Sequence, residues 1–565
     1  MDGKETNLLF DKASSLYKEK QYDQALKSLG LIKEKDAAFY LLRAQIFYAL
    51  NEFYLSNEDT KKGITLQPEN IQLYNLSALN YIAMFNIDKA KEVISNYEAK
   101  NGKKESFADI SKQIENKEKE IESNIKKYKS YKKFLRFIRY LYDKGAYVNK
   151  IDIVLTDETN RSVITTGQIL KKENILRIPY EALITLETAQ ESEIGKNITS
   201  TVKKQLKSPN HCVFTTYLLS EMEKGESSKW KFYFDMLPES YDNFPVFYKE
   251  KEEQLLKGTS FLQILHSKKK EIYQDYVTLC GVINNFQRFS YDNFCKVRMI
   301  VSSRIFGVKI RNLKTEVFAP YADMLNHRRV RQTHWNYEDS YNAFVISAIE
   351  NIEPGYELYD SYGKKCNSRF LLNYGFTLEN NEDNEYKLSI TLAENSYKYK
   401  EKSAILKNSI TKKFTLRKDL EDTQAALLFS FLRFVCFDGD TNLYKDYKAE
   451  NVLNPISMNN EIMMLKKLQE SIEFLLRDYD TSLEDDVTLL ATKKSTLSFN
   501  EMNCITMRIS EKEILRFYSD LAKYCIALFS KERTAIEAMM KEKNQDKQLL
   551  IYSSYIKEVI KHLFK

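Results

Sequence analysis

The sequence predicts an α+β protein of several domains: N-terminal helical repeats, a β-rich domain split by a helical insertion, and a C-terminal all-α domain. Three observations carry this reading. Residues 6–100 show a weak period near 34 residues. Short β-branched runs bounded by turn residues occur between Ile151 and Pro179 and return near Val317 and Ala343, on either side of helical patterning. Helical segments near 421–437, 461–478 and 501–530 fill the last third. At 565 residues the chain has room for roughly three or four domains, each with its own core.

With 43% hydrophobic and 29% charged residues and only 15 Gly and 8 Pro, the composition is that of a globular protein, which sets aside disordered and fibrous classes. The 86 basic and 79 acidic side chains leave a net charge of +7, a mild excess that argues against nucleic acid as a partner. Seven Cys, at 212, 280, 295, 366, 436, 504 and 525, form no Cys-x-x-Cys pair and are odd in number, so neither a zinc cluster nor a disulfide framework is expected. Reduced thiols suit an intracellular protein, cytoplasmic or nuclear. No basic region followed by an apolar core opens the chain, and no apolar run reaches the roughly 18 residues a membrane span needs, so no membrane association is expected.

In the first hundred residues Ala44 and Ala78 lie 34 apart, as do Phe47 and Tyr81. Ala13 with Ala25, and Ala78 with Ala90, keep one spacing between small residues, which two helices need where they touch. The phrase Leu16 to Leu26 resembles the middle of a tetratricopeptide unit, and Pro68 stands where such a unit ends. Three degenerate repeats over 1–100 fit, with a concave face open to a protein partner; a plain helical bundle is the alternative.

Residues 101–133 interleave Glu and Lys and read as a charged helix or linker. From Phe134 to Tyr142 apolar groups recur at helical spacing, and Gly145 offers a C-cap. The runs Ile151 to Leu155, Ser162 to Thr166 and Ile175 to Pro179 read as strands, followed by a helical insertion over about 190–310. Strands then return near Val317 and from Ala343 to Ala348. Strands flanking the insertion must pair across it, and the stretch Pro320 to Phe376 is expected to close their sheet.

That stretch carries the densest pattern. An apolar segment ends on Asp323, Met324, Leu325, Asn326 and His327; Tyr359 to Gly363 come next, and then Tyr374, Gly375 and Phe376. Alone, an Asn-His pair is usually structural and a tyrosine belongs to a core with its hydroxyl satisfied. In this order they read as a site.

These residues resemble the SET-domain protein methyltransferases, in the split-SET branch that contains the Rubisco large-subunit lysine methyltransferase and the actin-histidine methyltransferase. The likeness runs from about Phe134 almost to Lys565. Asn160-Arg161-Ser162 stand where the family has Gly-x-Gly, and Glu173-Asn174-Ile175 open the edge strand after it. Ser228 to Tyr233, with Leu237-Pro238, are similar to the family's S-x-W-x-P-Y and L-P segment, Phe232 replacing the proline. Val301 to Phe306 resemble its S-R-x-F helix, with Lys296 for the usual tryptophan. Tyr479 to Asp486 and Arg508 to Lys512 are similar to phrases of its C-terminal substrate-binding domain.

The resemblance implies a SET domain over 134–384, a helical substrate-binding-like domain over 385–565, S-adenosylmethionine as cofactor and no metal. It implies that Asp323, Met324, Leu325, Asn326 and His327 line the cofactor, the last two near the adenine, and that Arg304 meets its carboxylate end. Arg161, Glu173, Asn174 and Ile175 would line the same pocket, with Tyr374, Gly375 and Phe376 beside the adenine. Tyr362 would be the catalytic tyrosine, orienting a lysine or histidine nitrogen of a protein substrate. In-line displacement needs a neutral nucleophile, so a lysine with an ordinary pKa near 10.4 must be desolvated, whereas an imidazole is largely neutral at pH 7. The Gly-x-Gly turn admits the cofactor without Cβ atoms in the way; Asn160 tolerates a left-handed backbone, but Ser162 adds a side chain. The alternative function is therefore a catalytically inactive SET-fold scaffold that mediates assembly through its helical repeats.

Overall fold

The computed structural model describes residues 3–102, 107–157, 160–541 and 546–564. Residues 103–106 of the charged stretch, and Lys565, lie outside the described residues. By packing, the chain divides into one unit of residues 1–239 with 275–363 and a second of 240–274 with 364–565.

The first unit opens on helical hairpins: α1 (Gly3–Lys18) with α2 (Tyr22–Gly30), α3 (Ala37–Ala49) with α4 (Phe53–Leu66), and α5 (Ile71–Ala83) with α6 (Ile87–Asn101). The small residues read from the sequence sit at their contacts: Ala13, Ala25, Ala44, Ala78 and Ala90 are all fully buried. The hairpins also turn alike. Lys20, Asn51 and Phe85 adopt left-handed φ of 59°, 61° and 58°. The next N–H, of Gln21, Glu52 or Asn86, donates to the carbonyl of Leu16, Phe47 or Tyr81 at 2.8 Å, the Schellman closure of a helix end. This signal escapes sequence reading because neither Lys nor Phe advertises that conformation.

The second and third turns dock their hairpins on the β-rich part of the unit and on the helix that leads into it. Asn51 Nδ2 donates to Asn149 Oδ1 at 2.9 Å, Glu52 pairs with Arg177, and the Phe85 carbonyl accepts from Arg139 Nε at 2.6 Å. The charged stretch holds α7 (Ala108–Lys127), which buries Ile110, Ile114 and Ile121 along one side. Next, α8 (Tyr131–Asp143) buries Phe134, Leu135, Phe137, Ile138, Leu141 and Tyr142. It ends before Gly145, whose φ is 86°.

The strands are β1 (Tyr147–Val148), β2 (Ile151–Leu155), β3 (Arg161–Thr165), β4 (Asn174–Pro179) and β5 (Ile184–Thr185), then β6 (Ile305–Ile310), β7 (Leu313–Phe318), β8 (Asn326–His327), β9 (Thr333–Glu338), β10 (Ala343–Ala348) and β11 (Tyr359–Asp360). Helices from Leu186–Glu191 to Tyr291–Arg304 separate β5 from β6. As expected, strands pair across this insertion: β10 lies antiparallel between β4 and β9, and β7 between β5 and β6. The expected single sheet is instead several small ones among the described residues, with β8 and β11 forming a parallel pair of their own. A parallel pair needs a long crossover, and the β9–β10 hairpin lies within it.

Within the insertion, Arg298 on the helix Tyr291–Arg304 is 1% exposed, and its Nε and Nη1 have no hydrogen-bond partner among the described residues. Burial pushes the guanidinium down to about 9, although Glu316 favours its charge. A buried charge held this poorly costs more than it returns, so Arg298→Met is expected to stabilise the protein by about 1–2 kcal/mol. Thermal unfolding checks this; a lower melting temperature would show that the guanidinium contributes net stability.

The second unit pairs β12 (Tyr386–Thr391) with β13 (Thr411–Leu416) against the helices Thr423–Cys436, Met458–Leu476 and Phe499–Phe529. These helices are close to the segments read from the sequence. At its centre Arg433 forms a bidentate pair with Glu461 at 2.9 and 2.7 Å, and Tyr555 donates to the same carboxylate at 2.6 Å. A second buried polar assembly joins phrases far apart in the chain. Glu511 accepts from the Ser260 and Phe261 N–H groups and from the Tyr479 hydroxyl. Asp486 accepts from Arg508 and Lys512. Gly258, at φ 82°, must be glycine for a further reason: a Cβ there would lie 2.7 Å from the Asp478 carbonyl oxygen.

Candidate active site

The site lies in the first unit, where residues 357–360 are threaded between β3 and β8. On one side the Leu358 N–H donates to the Val163 carbonyl at 2.7 Å. On the other, Tyr359 pairs with Asn326 and Asp360 with His327, and the Arg328 N–H donates to the Asp360 carbonyl at 2.8 Å. The chain enters β8 through Tyr321, a buried residue at φ 79°, ψ −48°, a strained corner of the kind found at functional sites. The 3₁₀ turn Ala322–Met324 comes at once after it.

Two polar arrangements result. In the first, the Tyr362 hydroxyl donates to the Leu325 carbonyl at 2.9 Å and its backbone N–H donates to His327 Nδ1 at 3.1 Å. The two rings stack, 5.0 Å apart and 29° from parallel. Because Nδ1 accepts, the neutral imidazole carries its proton on Nε2. With its own proton given to Leu325, the phenol oxygen keeps its lone pairs as acceptors for an electron-poor group.

In the second arrangement Arg304, the last residue of its helix, bonds Asp323 through Nη1, at 2.8 Å to Oδ2 and 3.1 Å to the carbonyl. Tyr233, from the short helix Lys231–Phe234, donates to the same Oδ2 at 2.8 Å. The Asp323 side chain is 1% exposed, and its Oδ1 is buried without a hydrogen-bond partner among the described residues. A buried carboxylate oxygen left open is costly, and a cationic donor would satisfy it.

Asn326 ties the threaded segment to β3: its Nδ2 donates to Glu357 Oε1 at 2.7 Å and to the Arg161 carbonyl at 3.4 Å. Arg161 reaches the Met236 carbonyl with Nη1 at 2.6 Å. Ser162 pairs with Val154 in the β2–β3 hairpin, and among the described residues none of 160–162 has a left-handed φ. The backbone at 160–162 therefore does not require glycine, and Ser162 stands within the strand β3.

Of the residues singled out in the sequence, Arg161, Arg304, Asp323, Leu325, Asn326, His327 and Tyr362 are linked by these contacts. Met324 is buried beside them in the turn. Glu173 has other partners: it accepts from Asn149 Nδ2, Lys150 Nζ and the Leu170 N–H, while Ile175 is core and Asn174 begins β4. Tyr374, Gly375 and Phe376 belong to the second unit, where Gly375 caps the helix Asn367–Tyr374 at φ 77° and accepts from Asn243, and Phe376 stacks on Phe370 at 5.3 Å. Tyr233, which closes the Ser228 to Tyr233 phrase, and Glu357 make contacts here to which the sequence assigns no role. A buried tyrosine needs a hydroxyl partner, but the sequence cannot say which of many distant carboxylates supplies it.

This fold and this knot of residues define a SET domain: the SET domain profile matches residues 160–363, and the Rubisco LSMT substrate-binding profile matches residues 393–515. The chain thus carries a SET domain followed by a Rubisco LSMT substrate-binding domain. Among characterised proteins it is similar to actin-histidine N-methyltransferase of Gallus gallus and of Mus musculus, 26% identical to each over 402 residues, or 66% of this chain. The match spans 65% of the length of these curated relatives. Among solved structures it shares its fold with the SET domain of LSMT bound to lysine and AdoHcy and with Rubisco LSMT bound to AdoMet, each at a TM-score of 0.58 and 22% identity, covering 74% of this chain and 98% of that one.

Proposed function

We propose that the protein is an S-adenosylmethionine-dependent protein methyltransferase that modifies a lysine, or a histidine, of a protein substrate. The observation that carries this reading is the Tyr362 hydroxyl tied to the Leu325 carbonyl, in the same turn as the buried Asp323–Arg304 pair. The similarity to actin-histidine N-methyltransferase and to LSMT supports it. Those relatives differ in the residue they name, histidine in one and lysine in the other, so both acceptors are carried.

The donor set fits the cofactor. Its methionine end is a zwitterion, and the open Asp323 Oδ1 suits an ammonium group while the adjoining Arg304 suits a carboxylate. When bound, S-adenosylmethionine supplies a methyl group on a positive sulfur. Asn326 and His327 would lie along the adenine, with Met324, Leu325 and Arg161 beside them; Glu173, Asn174, Ile175, Tyr374, Gly375 and Phe376 join this set on the family likeness alone. The Tyr362 oxygen and the Leu325 carbonyl are the acceptors that would orient the incoming nitrogen and favour positive charge near it. In this reading residues 1–100 are tetratricopeptide-like repeats that hold a protein partner, 101–133 a charged connector, 134–384 the catalytic domain and 385–565 a substrate-selecting domain, in an intracellular enzyme.

Calorimetry with S-adenosylhomocysteine tests the reading: binding with one site per chain is expected, and no heat at saturating ligand would leave the scaffold reading. The presence of side chains at Asn160 and Ser162, where the family has glycine, favours that second reading. Loss of a methyl-lysine or methyl-histidine from one protein in cells lacking this chain, read by mass spectrometry, would name the substrate.

A further inference from the structure

We infer that Tyr233, supplied by the helical insertion, is a positioning residue for the amino-acid end of the cofactor. This inference rests on the function proposed above. Asp323 has two carboxylate oxygens with different fates. Oδ2 receives two donors, the Tyr233 hydroxyl and Arg304 Nη1, each at 2.8 Å. Oδ1 is buried and open. A carboxylate whose one oxygen is held by two donors cannot rotate without breaking both bonds, so its other oxygen keeps a single direction. Tyr233 thereby presents Oδ1 as a fixed acceptor for an ammonium group.

The tyrosine is itself held by packing. It is fully buried, with its ring near those of Phe137 and Phe318, both at 6.4 Å. Phe137 comes from α8 and Phe318 from β7, so the hydroxyl direction is set by elements on both sides of the insertion. The short helix Lys231–Phe234 thus has a chemical role, since without it Asp323 would keep only Arg304 as a side-chain donor to Oδ2. Removing the hydroxyl but not the ring leaves that packing in place.

The test compares two ligands. S-adenosylhomocysteine carries the zwitterionic end, and 5′-methylthioadenosine lacks it. Tyr233→Phe is expected to weaken S-adenosylhomocysteine about tenfold while changing the affinity for 5′-methylthioadenosine less than about twofold, measured by calorimetry on the full chain. Phe318→Leu, which loosens the ring packing but keeps the hydroxyl, is expected to shift both ligands alike. Equal losses for the two ligands with Tyr233→Phe, or no loss for either, would overturn the assignment and leave Tyr233 as core. Failure of the wild-type chain to bind either ligand would instead remove the cofactor reading, and this inference with it.

Discussion

Tyr362→Phe is expected to lower the rate of methyl transfer by about 10²–10³ while leaving the affinity for S-adenosylhomocysteine within about twofold. The ring is retained, so its stack on His327 and the backbone N–H bond to Nδ1 persist and β8 keeps its shape. The variant loses the phenol oxygen and its bond to the Leu325 carbonyl. On the proposed function that oxygen is a preorganised acceptor beside the Leu325 carbonyl, and removing such a group acts on the transition state more than on the bound ground state. Single-turnover kinetics with the identified substrate, beside calorimetry of cofactor binding, separate the two effects. An unchanged rate would remove Tyr362 from the chemistry; a rate and an affinity that fall together would make it part of the binding site.

Asp360→Asn is expected to stabilise the protein at pH 7 by about 2 kcal/mol, with the gain vanishing near pH 4. Asp360 is 3% exposed, and burial raises its carboxyl from 3.8 to about 6 against the opposing effects of the Ser361 N–H, Arg331 and Thr333. The folded chain therefore holds this proton more tightly than the unfolded chain. Below about pH 4 both states are protonated and nothing is lost. As pH rises through about 6 the folded state must either keep a buried charge or lose its advantage, so stability contributed by this group declines over that window and stays low above it. The rise from 3.8 to about 6 corresponds to roughly 3 kcal/mol at most, and the asparagine avoids most of it. Urea unfolding at pH 4, 5.5 and 7 checks this. A destabilised Asn variant at pH 7 would mean that the ionised carboxylate is better solvated by its neighbours than its burial implies. The position matters for function as well, because Asp360 pairs with His327 in the β8–β11 ladder and precedes Tyr362 by two residues.

Much of the architecture is legible in the sequence because it arises from local periodicity. The alanines of the N-terminal hairpins, the apolar face of α8, the β-branched runs that form β2, β3 and β4, and the three long C-terminal helices all reflect side chains that must be small, buried or alternating where they stand. The charged stretch is less legible, since four isoleucines spaced along the twenty residues of α7 are too sparse to separate a packed helix from an open one. At Asn160 to Ser162 the sequence shows side chains where the family has glycine. In the structure the backbone there needs no glycine, since Ser162 pairs with Val154 of β2, while its side chain remains the feature that favours the scaffold reading.

The kinds of element, their order and the motif residues Asp323 to His327 and Tyr362 can be read along the chain, since residue identity and spacing are properties of one chain segment at a time. Which of these groups touch follows from the folding of distant segments onto one another. The threading of residues 357–360 between β3 and β8, the Tyr362–Leu325 hydrogen bond and the joint hold of Tyr233 and Arg304 on Asp323 join segments tens to nearly two hundred residues apart. Their bonds exist because buried polar groups must find partners, and the partner available is whichever one the fold brings within about 3 Å.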